Sequence, residues 1–242
     1  MSKVVFVSGG TKGIGKEIAL YFANKGFITI INGYSDIEAF ESTVKQLKNI
    51  NPQNHGYIGD LSKHETTLKI LDLVYEKYGK VDVLINNLGK TEFSLFSSSN
   101  ISNIRTLVDN NLYGYINPTH YITKHMIKEK SGVIINISSV FGEVGASCEV
   151  AYSVSKGAIN TFTQALAKEL APSNILVNAI ALGFCDTNMN SYLSEQEKTE
   201  LCNDIPLGKS CEPIEVAKLC YYLACENRYI TGQIIRQDGG WI

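Results

Sequence analysis

Charge of one sign is scarce in this 242-residue chain: 22 Lys and Arg nearly balance 24 Asp and Glu, for a net charge of −2. The basic residues are scattered as well, so there is no footprint for a nucleic acid or another polyanion. Cysteine is sparse and unpatterned. Cys148, Cys185, Cys202, Cys211, Cys220 and Cys225 show no CxxC spacing and no matching histidines, which predicts reduced thiols and no bound metal. Cys211, Cys220 and Cys225 read as helix packing, whereas Cys148 and Cys185 fall beside the candidate site described below. No apolar run is long enough for a membrane span. The opening MSKVVFVSGG passes from a short apolar stretch directly into glycines, without the features of a signal peptide, so a cytoplasmic protein is expected. Proline is rare, at five residues, and no repeat or low-complexity linker divides the chain.

What is present is a core-forming composition, 44% hydrophobic, in an unbroken alternation of two periodicities. A globule of this length buries roughly three quarters of its unfolded surface without needing staples. Short β-branched runs at Val4–Val7, Ile28–Ile31, Gly56–Ile58, Val81–Ile85, Val133–Ile137, Ile175–Ile180 and Gln233–Ile235 read as strands. Amphipathic stretches at Ile14–Asn24, Ile37–Leu47, 63–78, 101–129, 152–170 and 212–225 read as helices between them. The pattern predicts a single α/β domain over 1–242, a doubly wound parallel sheet of seven strands with helices on both faces. In such sheets ligands bind beyond the carboxyl ends of the strands. Residues 183–207 break the alternation. They are polar, with Asn188, Asn190, Ser191 and Ser194 before Glu195, and read either as a substrate-covering loop with one or two short helices or as a surface insertion.

Two local motifs carry chemistry. SGGTKGIG follows the first strand and opens the first helix, where Gly9 and Gly15 permit a tight turn and close approach of a pyrophosphate to the positive helix end. Tyr152 and Lys156 are four residues apart, so they share a helix face. A free phenol has a pKa of about 10 and is a poor proton donor at neutral pH, but a nearby ammonium stabilises its anion. Ser139 lies thirteen residues upstream of Tyr152.

The Gly-x-x-x-Gly-x-Gly turn resembles that of the short-chain dehydrogenase/reductase family, whose doubly wound sheet is Rossmann-type. Other strings extend the resemblance over nearly the whole chain: Asn86-Asn-Leu-Gly89, Gly59-Asp60, and Asp109-Asn-Asn-Leu112, in which Asn111 matches the family's catalytic asparagine. The resemblance implies a catalytic tetrad of Asn111, Ser139, Tyr152 and Lys156, with Lys156 bonding the nicotinamide ribose and Asn111 anchoring a water that links Lys156 to solvent. It implies cofactor contacts from Gly9, Thr11, Lys12, Gly13, Ile14 and Gly15, from Tyr34 and Ser35, and from Asp60 and Leu61. Asn87, Gly89, Tyr152, Lys156, Gly183, Cys185 and Thr187 complete that set. NAD-preferring members carry an acidic residue at the end of the second strand; here that place is Gly33. With Lys12 before the second glycine, the cofactor expected is NADP(H), unless Lys12 is only a solvated surface lysine.

The C-terminal half, through Gln237-Asp-Gly-Gly-Trp241, resembles the 3-oxoacyl-carrier-protein reductases, although of the two basic residues that dock the carrier only Lys130 is retained and the other position is Ser173. From Gly142 to Leu207 the chain is also similar to the elongation factor P aminopentanone reductases, in which reading Cys148 and Glu149 line the entrance and Glu149 faces a cationic amine or stays on the surface. Leu88 and Leu182 stand where the family has alanine and proline. The substrate expected is a ketone, small or carried by a protein, and the alternative of another class is an NADP-binding regulator without turnover. Family resemblance further implies a homotetramer built on helices 101–129 and 152–170 and on the C-terminal strand, with Trp241 and Ile242 at that contact.

Overall fold

The β-branched runs form seven strands: β1 (Val4–Val7), β2 (Ile28–Gly33), β3 (His55–Ile58), β4 (Val83–Asn86), β5 (Gly132–Ser139), β6 (Ile175–Leu182) and β7 (Ile234–Gln237). All pair in parallel, in the order β3-β2-β1-β4-β5-β6-β7. A computed structural model describes residues 2–187, 190 and 193–242; of the covering loop, Asn188 and Ser191 lie outside the described residues. The crossovers are α1 (Gly13–Asn24), α2 (Ile37–Ile50), α3 (His64–Tyr78), α4 (Ile101–Glu129), α5 (Phe141–Val144), α6 (Val150–Leu170), α7 (Glu195–Asp204) and α8 (Pro213–Cys225). Among the described residues no helix is long and apolar enough to cross a membrane.

Strand alternation sorts the core into two layers. Val5, Val7, Ile31 and Ile85 pack under Phe22, Leu47 and Leu223 of α1, α2 and α8. Val4, Phe6, Ile30 and Leu84 pack under Leu71, Ile122 and Leu170 of α3, α4 and α6. Each such side chain contributes about 1.5–3 kcal/mol on full burial. With both faces covered, the strands read as continuous apolar runs, as the sequence shows.

The exceptions to that apolarity tie the helices to the sheet. Asn86 and Asn136 sit side by side in register on β4 and β5. Asn86 Nδ2 donates to Thr119 Oγ1 of α4 at 3.0 Å and to Asn136 Oδ1 at 2.9 Å, and Asn136 Nδ2 donates to Thr163 Oγ1 of α6 at 2.8 Å. Ser138 adds a bond to Asn160 of α6 at 2.6 Å. A buried polar group without its partner costs about 1–3 kcal/mol, so this ladder penalises any sliding of α4 or α6 along the sheet.

Several boundaries differ from the sequence pattern in ways that matter for the site. Strands β5 and β6 run two residues further than expected, pairing up to Ser139 opposite Leu182. Helix α6 starts two residues early, at Val150, so Tyr152 lies in its first turn. The four-residue α5 after Ser139 is too short to carry a periodicity. The covering segment contains α7, opened by a capping box in which Ser194 and Glu197 satisfy each other's backbone N–H groups.

Candidate active site

Four side chains from three elements meet beyond the carboxyl ends of β4 and β5. Ser139 is the last residue of β5, and its Oγ accepts from Phe141 N–H at 3.2 Å. Tyr152 and Lys156 come from one face of α6, with the lysine Nζ 5.7 Å from the Tyr152 ring centre. Lys156 is 4% exposed. Its Nζ donates to Ile137 O at 2.8 Å and to the Tyr115 hydroxyl at 3.2 Å. Burial pushes the Lys156 amine down to about 7, because the charged form gives up its hydration. The lysine is therefore poised to hold or release a proton near neutrality.

Asn111 lies in the middle of α4. Its Oδ1 accepts from Lys90 N–H and its Nδ2 donates to Lys90 O, both at 2.8 Å, and Nδ2 also reaches Ser155 Oγ at 3.1 Å. The side chain thus clamps the loop after β4. Lys156 is partnered by Tyr115, one helical turn further along α4.

A cleft of about 430 Å³ beside these residues is lined by Gly9, Thr11, Lys12, Gly13, Ile14, Tyr34, Ser35, Asp60, Asn87, Gly89 and Thr187. The turn is built for close backbone approach. Gly9 has φ +62°, and a Cβ on Gly15 would lie 2.2 Å from Gly9 O and 2.4 Å from Asn87 Nδ2. That atom would break the 3.0 Å bond from Asn87 Nδ2 to Gly9 O that closes the turn. Among the described residues no side chain caps the start of α1, leaving its first N–H groups for an anion. These features fit the pyrophosphate of the implied dinucleotide.

Sequence reasoning missed Asp36 at the ribose end of the cleft. It caps α2 by accepting from Ala39 N–H at 3.0 Å and pairs with Lys12 at 3.1 Å. The Ala39 bond, then Lys12, holds its carboxyl below the usual range. An aspartate just before an amphipathic run is a legible capping signal, but its pairing with Lys12 is not. Leu61 is not brought to the cleft: its side chain is fully buried and its carbonyl accepts from Thr67 and Asn117. Leu88, which replaces the family's alanine, lines the cleft and packs on α4, where a Cβ on Gly114 would lie 3.0 Å from it; the missing side chain at 114 makes the room.

A second pocket of about 470 Å³ is continuous with the first through Ile14, Asn87, Gly89, Thr91 and Thr187. Ser139, Tyr152, Lys156, Gly183 and Cys185 line it, roofed by Leu193 and Leu201 and walled by Phe93, Phe141, Phe184 and Trp241. Its other charges are all negative: Glu149, Glu197, Glu200 and Asp204. Glu149 is only 8% exposed and accepts from Thr91 Oγ1 at 2.5 Å. Cys185 hydrogen-bonds the thiol of Cys211, and that bond, then burial, pushes the Cys185 thiol up, so it stays protonated. Lys130 and Ser173 precede β5 and β6, at the opposite end of the sheet from Ser139.

A family model described as short chain dehydrogenase matches residues 3–198. The 3-oxoacyl-[acyl-carrier-protein] reductase FabG of Thermotoga maritima is 36% identical over 241 residues, covering 99% of this chain and 98% of that protein. Its counterpart in Aquifex aeolicus is 38% identical over 240 residues, covering 98% and 96%. A Bacillus subtilis protein named uncharacterized oxidoreductase YmfI is 35% identical over 243 residues, covering 100% and 99%. Among solved structures, YwfH, an NADPH-dependent reductase involved in bacilysin biosynthesis, superposes with TM-score 0.92 at 27% identity, and ElxO with NADP bound superposes with TM-score 0.92 at 29% identity. Each alignment covers 100% of this chain and 99% of the other.

Proposed function

The chain belongs to the short-chain dehydrogenase/reductase family, and on that premise we propose that it is an NADPH-dependent ketoreductase that converts a ketone to a secondary alcohol. The observation that carries this reading is the convergence of Ser139, Tyr152 and Lys156 on a pocket continuous with the glycine-turn cleft. Lys12, Tyr34 and Ser35 would hold the ribose end of the dinucleotide, and Gly9, Gly13, Ile14 and the start of α1 its pyrophosphate. When bound, NADPH supplies a hydride. Tyr152 delivers the proton to the carbonyl oxygen, Ser139 donates a hydrogen bond to that oxygen, and the Lys156 ammonium stabilises the phenolate left behind. Asn111 orients the loop carrying Gly89 and Lys90. The described residues of 183–207 cover the substrate pocket within a single domain.

Mixing the protein with NADPH and a panel of ketones, and following loss of NADPH absorbance, tests the reading. Tight binding of NADPH without turnover of any ketone would favour a non-catalytic regulator instead. Gly15→Ala is expected to destabilise the fold by about 1–3 kcal/mol in urea titration and to abolish NADPH binding, because the turn cannot close around the added methyl.

The relatives that reduce 3-oxoacyl-carrier-protein support a carrier-bound substrate. A specific observation favours a second one, a ketone bearing an amine, as in the aminopentanone reductases: Glu149, Glu200 and Asp204 line the pocket while Lys156 is its one cation among the described residues. A carrier docked at Lys130 in the same chain would lie about 26 Å away, the length of an eight-residue strand. Glu149→Gln separates the two. It is expected to raise KM about tenfold for the amine-bearing ketone and to leave the acyl thioester unchanged. Equal effects on both substrates would remove the amine reading. Exposed Ile101 and Tyr113 on α4 and Val150 and Val154 on α6 support a tetramer that pairs these helices.

A further inference from the structure

Lys156 is held by a residue outside the tetrad. Tyr115 is fully buried, and its hydroxyl donates to Ile137 O at 2.7 Å. The hydroxyl's proton is thereby committed to the carbonyl, and its lone pairs face Lys156 Nζ at 3.2 Å. Both groups converge on one strand carbonyl, since Nζ bonds the same oxygen at 2.8 Å. The ammonium also lies 5.2 Å from the Tyr115 ring centre and 5.7 Å from that of Tyr152, so it sits between two phenols.

We propose that Tyr115 is a positioning residue for Lys156, its hydroxyl acting as the second acceptor that keeps the buried amine charged and aimed beneath the Tyr152 ring. This rests on the ketoreductase reading only for its catalytic consequence. The groups facing Lys156 leave Tyr115 little competition. Titratable neighbours are Tyr115 from α4, Tyr152 from α6 itself, and Glu149 and Cys185 across the pocket. Helix α5 presents Gly142, and its Glu143 is tied to Arg236 at 3.1 Å. Strand β5 presents the Ile137 carbonyl to Nζ. Among the described residues no carboxylate forms an ion pair with Lys156, so neutral acceptors alone offset the loss of its hydration. An acceptor that bonds the charged form favours that form, and removing it releases the proton at lower pH. Tyr115 itself stays neutral, since burial, then Tyr152, pushes its phenol well above the usual range.

The test is Tyr115→Phe, which removes one oxygen and keeps the ring. The protonation midpoint of the Lys156 side chain is read by ¹⁵N NMR of lysine Nζ, with Lys156→Met identifying the resonance. The expected result is a fall of about one pH unit in that midpoint, and a matching shift of the alkaline limb of kcat/KM toward lower pH. An unmoved midpoint overturns the proposal, whether or not the protein reduces ketones. An unmoved limb in an active enzyme overturns it as well. Should the phenylalanine variant not fold, Tyr115→Met, which fills the space without an oxygen acceptor, is read the same way.

Discussion

Tyr152→Phe is expected to lower kcat for ketone reduction by about 10²–10⁴-fold, the usual contribution of a positioned proton donor. The substitution removes one oxygen and leaves the ring that Lys156 Nζ approaches at 5.7 Å. Packing in the first turn of α6 is retained, so Tm should move by no more than a few degrees. The phenol lines the substrate pocket, whereas the glycine turn and Lys12 line the neighbouring cleft, so fluorescence titration should find NADPH affinity within a few-fold of wild type. Turnover near the wild-type rate would remove Tyr152 as the donor and the proposed chemistry with it. Loss of NADPH binding would mean the residue holds the cofactor more than it serves the proton.

Lys156→Met is expected to abolish measurable turnover and at the same time to stabilise the protein. The first effect follows from losing the ammonium that stabilises the phenolate. The second follows from burial. The lysine's pKa falls from 10.5 in the open chain to about 7 in the fold, so below pH 7 it is protonated in both states and the folded state bears the full cost of the buried charge. Between pH 7 and 10.5 the unfolded chain binds a proton that the folded one lacks, and wild-type stability therefore rises with pH across that window. Methionine removes the cost at every pH, and the Ile137 carbonyl keeps its bond from the Tyr115 hydroxyl. At pH 6.5 the gain should be about 1–2 kcal/mol, or roughly 2–8 °C in Tm, shrinking by pH 9.5. A variant less stable than wild type at pH 6.5 would contradict this account of Lys156. Stability given up at a functional group is a common trade in enzymes.

Much of this molecule was legible before folding because its signals are local. Seven β-branched runs and their intervening amphipathic stretches name the strands and helices, since side-chain periods of 2 and 3.6 follow from backbone geometry alone. The glycine turn is readable because strand, glycines and helix are contiguous. Tyr152 and Lys156 are readable because four residues along a helix is one face. Asn111 and Ser139 were found by resemblance, and their place beside Tyr152 follows once the strand order is known.

What only the tertiary structure decided is which distant residues touch. Lys156 meets Tyr115 across 41 residues and Glu149 meets Thr91 across 58, and no periodicity encodes either contact. Lys12 finds Asp36 because β1 and β2 are neighbours in the sheet and their loops emerge at the same edge. The carboxylates lining the pocket come from the start of α6 and from α7, in the segment expected to cover the substrate, but which of its side chains face the pocket is not encoded in their order. The physical reason is common to all of them. Local sequence sets the backbone's shape over a few residues, whereas the sheet order, the buried Asn86–Asn136 ladder and the packing of α4 and α6 set the remaining distances, and these depend on the whole chain at once.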